Sequence, residues 1–281
     1  HIMKNRGFFR AFGRLAAAAA LSIGALVFPG AADAHALWIN MTDYHPAFDA
    51  EKALAKTKLY MGWGHHFPVD GYVSEEDFNH IWLTTPGGKE QTVKLETTGI
   101  AASELKLSEE GLYLIGVTRH ASYNTKYRDG AGETQSVKKD MTGLSNVVSS
   151  TYSQQFAKTL FCVGDQMAGA FDRPLGQTLE IIPLANPYTL ANNTGGTLPV
   201  KVLFEGEPVP HTKLYAKYEG FSQTDESSCV AMTDKSGVAH LRITHWGPWV
   251  VKTGMTMAPR GNLAGWVMAE NYYASLTFLV P

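Results

Sequence analysis

The feature that most constrains this chain is a succession of short runs in which polar and apolar residues alternate, broken roughly every ten residues by turn formers. Lys56–Trp63 (KTKLYMGW), Asn79–Thr84 (NHIWLT), Gln91–Glu96 (QTVKLE) and Lys213–Tyr218 (KLYAKY) all alternate. A period of two puts successive side chains on opposite faces of an extended strand, the pattern of a sheet with one buried face. Gly111–Thr118 (GLYLIGVT) reads as a more fully buried strand. Thr178–Leu184, Leu198–Phe204, Val238–Ile243, Trp249–Thr253 and Tyr272–Val280 extend the series. Between them stand Pro86-Gly87-Gly88, Asn192–Gly196, Glu205–Pro208 and Thr233–Gly237, each with turn chemistry. The spacing predicts an all-β chain of two β-sandwich domains. One short helix is expected over 147–160, where Val148, Tyr152, Phe156 and Leu160 recur four residues apart. Residues 120–142 are polar and read as a long surface loop.

Residues 1–34 read differently. His1-Ile2 before Met3 looks like a cloning remnant. Lys4, Arg6, Arg10 and Arg14 precede an apolar run, Leu15–Phe28, and a small-residue exit, Ala32-Asp33-Ala34, the plan of a signal peptide. The domain plan is therefore 1–34 as remnant plus signal peptide, 35–175 as an N-terminal β-domain, and 176–281 as a C-terminal β-sandwich. Cleavage after Ala34 makes His35 the first residue; cleavage after Ala36 also satisfies the small-residue rule. No other stretch is apolar for the roughly 18–20 residues a spanning helix needs. The formal charge of −2 for the 281 residues gives no general attraction to nucleic acid. Cys162 and Cys229 are expected in an oxidising compartment, where they can pair or stay apart.

Three further stretches carry a resemblance. LEIIPLANP at Leu179–Pro187, VLFEGEPVPHTKLYAKYEGF at Val202–Phe221 and TDKSGVAHLRI at Thr233–Ile243 occur in this order. Upstream stand AHALWI at Ala34–Ile39, GWGHHF at Gly62–Phe67 and YSQQFAKTLFCVG at Tyr152–Gly164. Together they resemble a family of exported bacterial domains of unknown function described as NikM-like periplasmic components of nickel or cobalt uptake. The resemblance implies a periplasmic, β-rich protein with an immunoglobulin- or transthyretin-like C-terminal part and a link to metal handling. Any permease would be a separate chain. Where that family usually has Gly-His-Pro-Phe, this chain has Gly64-His65-His66-Phe67.

The ten histidines are then the candidate ligands, since imidazole binds Ni, Co, Cu and Zn well. His35 as a new N-terminus offers its α-amine and its imidazole to one ion, an arrangement similar to the histidine brace of copper proteins. His65 and His66 are adjacent, so in an extended segment they point to opposite faces and one of them reaches a site. His120 ends a strand at the mouth of the polar loop, and His45 precedes Pro46 in an early loop. His211, His240 and His245 read as structural. The chain has no Gly-x-Ser-x-Gly elbow, P-loop, dinucleotide fingerprint or His-Glu-x-x-His helix. The expectation is a non-enzymatic periplasmic carrier of Ni, Co or Cu, with His35, His65 or His66, and His120 converging and His45 in reserve. A brace-type copper redox enzyme and a polymer-binding sandwich are the rivals.

Overall fold

The computed structural model describes residues 35–96, 100–190 and 196–281. Residues 1–34, expected as remnant plus signal peptide, and most of the predicted turn at 192–196 lie outside the described residues. Seventeen strands follow in order. The first nine are β1 (Ala36–Met41), β2 (Ala55–Gly64), β3 (Phe78–Thr84), β4 (Glu90–Thr92), β5 (Ala102–Leu107), β6 (Gly111–Arg119), β7 (Ser122–Arg128), β8 (Thr134–Val137) and β9 (Val147–Val163). The rest are β10 (Leu179–Pro183), β11 (Thr197–Phe204), β12 (Glu207–Pro208), β13 (Lys213–Tyr218), β14 (Cys229–Met232), β15 (Val238–Arg242), β16 (Gly247–Met257) and β17 (Ala269–Val280). The fold is all-β. Among the described residues the only helical pieces are short 3-10 turns.

One ten-stranded sheet organises the molecule. Its main path runs β14-β13-β16-β17-β9-β6-β3-β4, and the β7–β8 hairpin joins through β9. The two smaller sheets, β1-β2-β5 and β10-β11-β12 with β15, cover opposite faces of it. Strand parity shows how. On β6, Leu112 and Leu114 face the core under β10 and β11, whereas Tyr113, Ile115 and Val117 face the core under β1 and β2. On β9, Phe156, Leu160 and Cys162 take the first side and Ala157, Phe161 and Val163 the second. A strand buried on both faces needs apolar residues at every position, which is why GLYLIGV and FAKTLFCV read as near-continuous runs. The boundary expected at 175/176 falls in the β9–β10 connection, and the large sheet runs across it: β17 pairs with β9 in parallel, from Ala269↔Thr151 to Thr277↔Thr159.

The helix expected over 147–160 is instead part of β9, a strand of 17 residues. Four-residue spacing fits a helical face, but four is also twice the strand period. Val148, Tyr152, Phe156 and Leu160 therefore share one face of an extended strand equally well. Ladders with β6, β7 and β17 decide the matter. The loop expected over 120–142 contains the β7–β8 hairpin. Its strands escaped notice because polar backbone pairing, with Thr125 Oγ1 2.7 Å from Ser150 Oγ, holds it to β9 rather than apolar burial.

β1 lies at the edge of its small sheet, and its outer carbonyls need donor partners. Side chains of the large sheet supply them. Gln155 Nε2 donates to the His35 carbonyl at 2.8 Å, Ser275 Oγ to Leu37 at 2.6 Å and Thr277 Oγ1 to Ile39 at 2.5 Å. Residues 35, 37 and 39 present their carbonyls to one side, so a row of buried polar residues docks the strand and fixes where His35 emerges.

Candidate metal centre

The β1–β2 register pairs Ala36 with Gly64, which brings the next residues outward, His35 and His65, side by side. Their rings meet edge to face, centroids 4.7 Å apart at 80°. His35 also stands edge-on to Trp63 at 5.6 Å, and the Arg119 guanidinium covers that indole at 4.1 Å.

The turn after β2 is shaped by Gly64, at φ 131°. A Cβ there would stand 2.2 Å from Asp70 Oδ2, so only glycine admits the carboxylate. Asp70 Oδ2 accepts from the backbone N–H of His65 at 2.7 Å and of His66 at 3.2 Å. The His65 amide bond, ahead of the other contacts, holds the Asp70 carboxyl below the usual carboxylate range. The sequence GWGHHFPVD thus closes a loop that presents the two histidines differently. His65 turns inward to His35; His66 stays half exposed, Nδ1 3.4 Å from Asp70 Oδ1.

His65 is oriented from the C-terminal half. Its Nδ1 lies 3.1 Å from Asp225 Oδ2, and Asp225 Oδ1 accepts from Lys252 Nζ at 3.0 Å. Partial burial alone would raise the Asp225 carboxyl; the Lys252 ammonium and the His65 ring outweigh it and hold it low. A carboxylate on Nδ1 fixes the ring and its tautomer and leaves the Nε2 lone pair as the one open to a ligand. Lys217 Nζ donates to the Thr224 carbonyl at 2.9 Å and to that of His65 at 3.4 Å, tying the Asp225 loop to the His65 turn. Two lysines balance two aspartates here, so affinity for a cation must come from nitrogen donors rather than net negative charge.

The other candidates lie apart from this pair. The His120 backbone N–H donates to Asp77 O at 2.8 Å beside the Arg119–Asp77 ion pair. His45 Nε2 is engaged with the Gly164 carbonyl at 2.8 Å, and its ring meets Tyr188. It sits beyond the far end of β1, roughly 17 Å from the His35 end at the rise of a strand. Among the described residues no three His, Cys, Asp or Glu side chains gather in metal-holding geometry. The expected meeting of His35, His65 and His120 is present only in its first two members. Asp225, Asp70 and Gln155 were missed by sequence reading; only the Asp70-Gly71 turn signal in Gly62–Gly71 hinted at any of them. Cys162 and Cys229 are both free. Burial pushes the Cys162 thiol up to about 11, which makes it an inert core residue.

A family model described as a domain of unknown function (DUF4198) matches residues 32–257. The chain belongs to this family. The match takes in β1 through β16, and with them every residue around His35 and His65 named above. Among curated proteins there is no match. Among solved structures, the D0-D1 domain of intimin is similar at 13% identity and TM-score 0.21, over 86% of this chain and 97% of that one. Its D00-D0 domain is similar at 13% and 0.19, over 86% and 99%. A Salmonella alpha-2-macroglobulin reacted with methylamine is similar at 12% and 0.23, over 93% of this chain and 16% of that one. Among the described residues no helix is long and apolar enough to cross a membrane.

Proposed function

We propose that the chain is exported to the periplasm, binds a divalent transition metal there (Ni, Co or Cu) and hands it to an uptake component in a separate membrane chain. One observation carries this reading: the rings of His35 and His65, side by side at one end of the β1–β2 pair, are in contact, and Asp225 orients the second. With cleavage after Ala34, His35 adds its α-amine to its imidazole, and two residues supply three nitrogens. Three nitrogens in a T suit Cu(II), and the Irving–Williams order favours copper over nickel at such a set. The resemblance to nickel and cobalt uptake components supports the carrier role. In this reading the protein is not an enzyme.

The test is titration calorimetry of the mature protein with Cu(II) and Ni(II). His65→Ala is expected to weaken binding tenfold or more, and His45→Ala to leave it unchanged. Equal affinities in the two variants would remove the proposed centre. A brace-type copper redox enzyme draws support from the same pair, because two ligand residues leave coordination positions open. Peroxide-dependent oxidation of a polymer by the copper-loaded protein would favour that rival.

A further inference from the structure

Beside the candidate centre, but not using its imidazoles, a half-enclosed cleft of about 90 Å³ lies between the start of β1 and strands β9, β13, β16 and β17. Its walls include the side chains of Tyr215 and Tyr273, which alternate with residues of the core under β10 and β11, and the backbone at Phe156 and Ala274. Gly254 lets Tyr273 lie against β16, since a Cβ at 254 would stand 2.7 Å from the Tyr273 ring.

Gln155 also lines this cleft. It is 8% exposed, its Nε2 is spent on the His35 carbonyl, and its Oε1 is buried with no hydrogen-bond partner among the described residues. A buried acceptor left unpaired is costly, and such groups in folded proteins call for an explanation.

We propose that the cleft is a binding site for a small aromatic molecule carrying a hydroxyl or amino group. The donor of that group meets Gln155 Oε1 and the ring lies between Tyr215 and Tyr273. An enclosed apolar cavity of roughly 150 Å³ takes a benzene ring. A smaller one that opens to solvent accepts a single ring with its far edge projecting past Lys252 and Asp225. The proposal stands whether or not the neighbouring histidines hold a metal.

The probes are phenol and toluene, alike in shape and differing in the hydroxyl donor. Each is titrated into the metal-free mature protein in the presence of a chelator, and the backbone amide signals of Ala36 and Gly254, which line the cleft, are followed by NMR. Phenol should shift both signals saturably and bind roughly tenfold more tightly than toluene, the discrimination expected of one net hydrogen bond. Gln155→Met, close in shape but lacking the acceptor, should abolish that preference while toluene still binds. Ser227→Phe, on the exposed loop at the cleft wall, should weaken both ligands and leave thermal unfolding unchanged. Absence of saturable shifts, equal affinity for the two probes, or a preference for phenol that survives in Gln155→Met would each overturn the proposal.

Discussion

The buried pair Lys158–Glu180 joins the central strand β9 to the covering strand β10, with side-chain exposures of 0% and 2%. Its two ends are not equivalent. Glu180 accepts from three directions: Lys158, the Leu175 N–H at 2.6 Å and the Gly176 N–H at 3.1 Å. Lys158 has Glu180 and, at 3.5 Å, the Arg173 carbonyl. Replacing Glu180 with Leu strands an ammonium and two amides; replacing Lys158 with Met strands a carboxylate that keeps two donors. Breaking a buried pair from one side costs about 3–5 kcal/mol, and each orphaned buried amide adds roughly 1 kcal/mol or more. Burial already lowers the Lys158 ammonium, so release of its proton caps the cost in Glu180→Leu. We expect about 4–5 kcal/mol for Glu180→Leu and about 2–3 kcal/mol for Lys158→Met. The double variant should lie closer to the parent than Glu180→Leu does, since no uncompensated charge remains. At roughly 2–4 °C per kcal/mol for a chain of this size, the first should lower the unfolding temperature by about 8–20 °C. Calorimetric melts of the three variants decide. A Lys158→Met variant less stable than Glu180→Leu, or a loss below about 1 kcal/mol in both, would refute the reasoning.

Asp225→Ala should weaken metal binding by about 10–100-fold without removing a ligand, the usual cost of losing a carboxylate behind a metal-binding histidine; calorimetric titration of variant and parent side by side measures it. Gly62→Ala would place a Cβ 1.9 Å from Trp38 Nε1, whose N–H donates to the Pro68 carbonyl at 2.8 Å. Overpacking plus a lost hydrogen bond should cost about 2–4 kcal/mol, read as an earlier thermal transition. Asp70 and Asp225 both have lowered carboxyl values in the folded protein. The stability they contribute is therefore complete above the ordinary carboxylate value near 4 and is lost as pH falls through their lowered values. The side-chain carboxyl carbon signals of Asp70 and Asp225 should accordingly show their protonation shift with a midpoint below about pH 4; a midpoint above 4 contradicts the assignment.

Much of the strand plan was legible. Lys213–Tyr218 matches β13, and Gly111–Thr118 differs from β6 by one residue. Such runs are legible because burial on one face or both imposes a local period. The misreadings arose where two periods coincide, as in Val148–Leu160, or where polar pairing replaces apolar burial, as in β7. Of the site, His35 and one of His65 and His66 were expected to converge, but Asp225, which orients His65, lies 160 residues beyond it and carried no signal.

Hydropathy period and turn chemistry act between near neighbours, and they were sufficient to specify an all-strand chain and the residue types able to bind a cation. Which histidines meet, which carboxylate turns the ring, and which buried amide is left facing a cleft were decided by packing two small sheets on opposite faces of a large one. Those contacts join residues from 30 to 160 positions apart, at separations that no local pattern encodes.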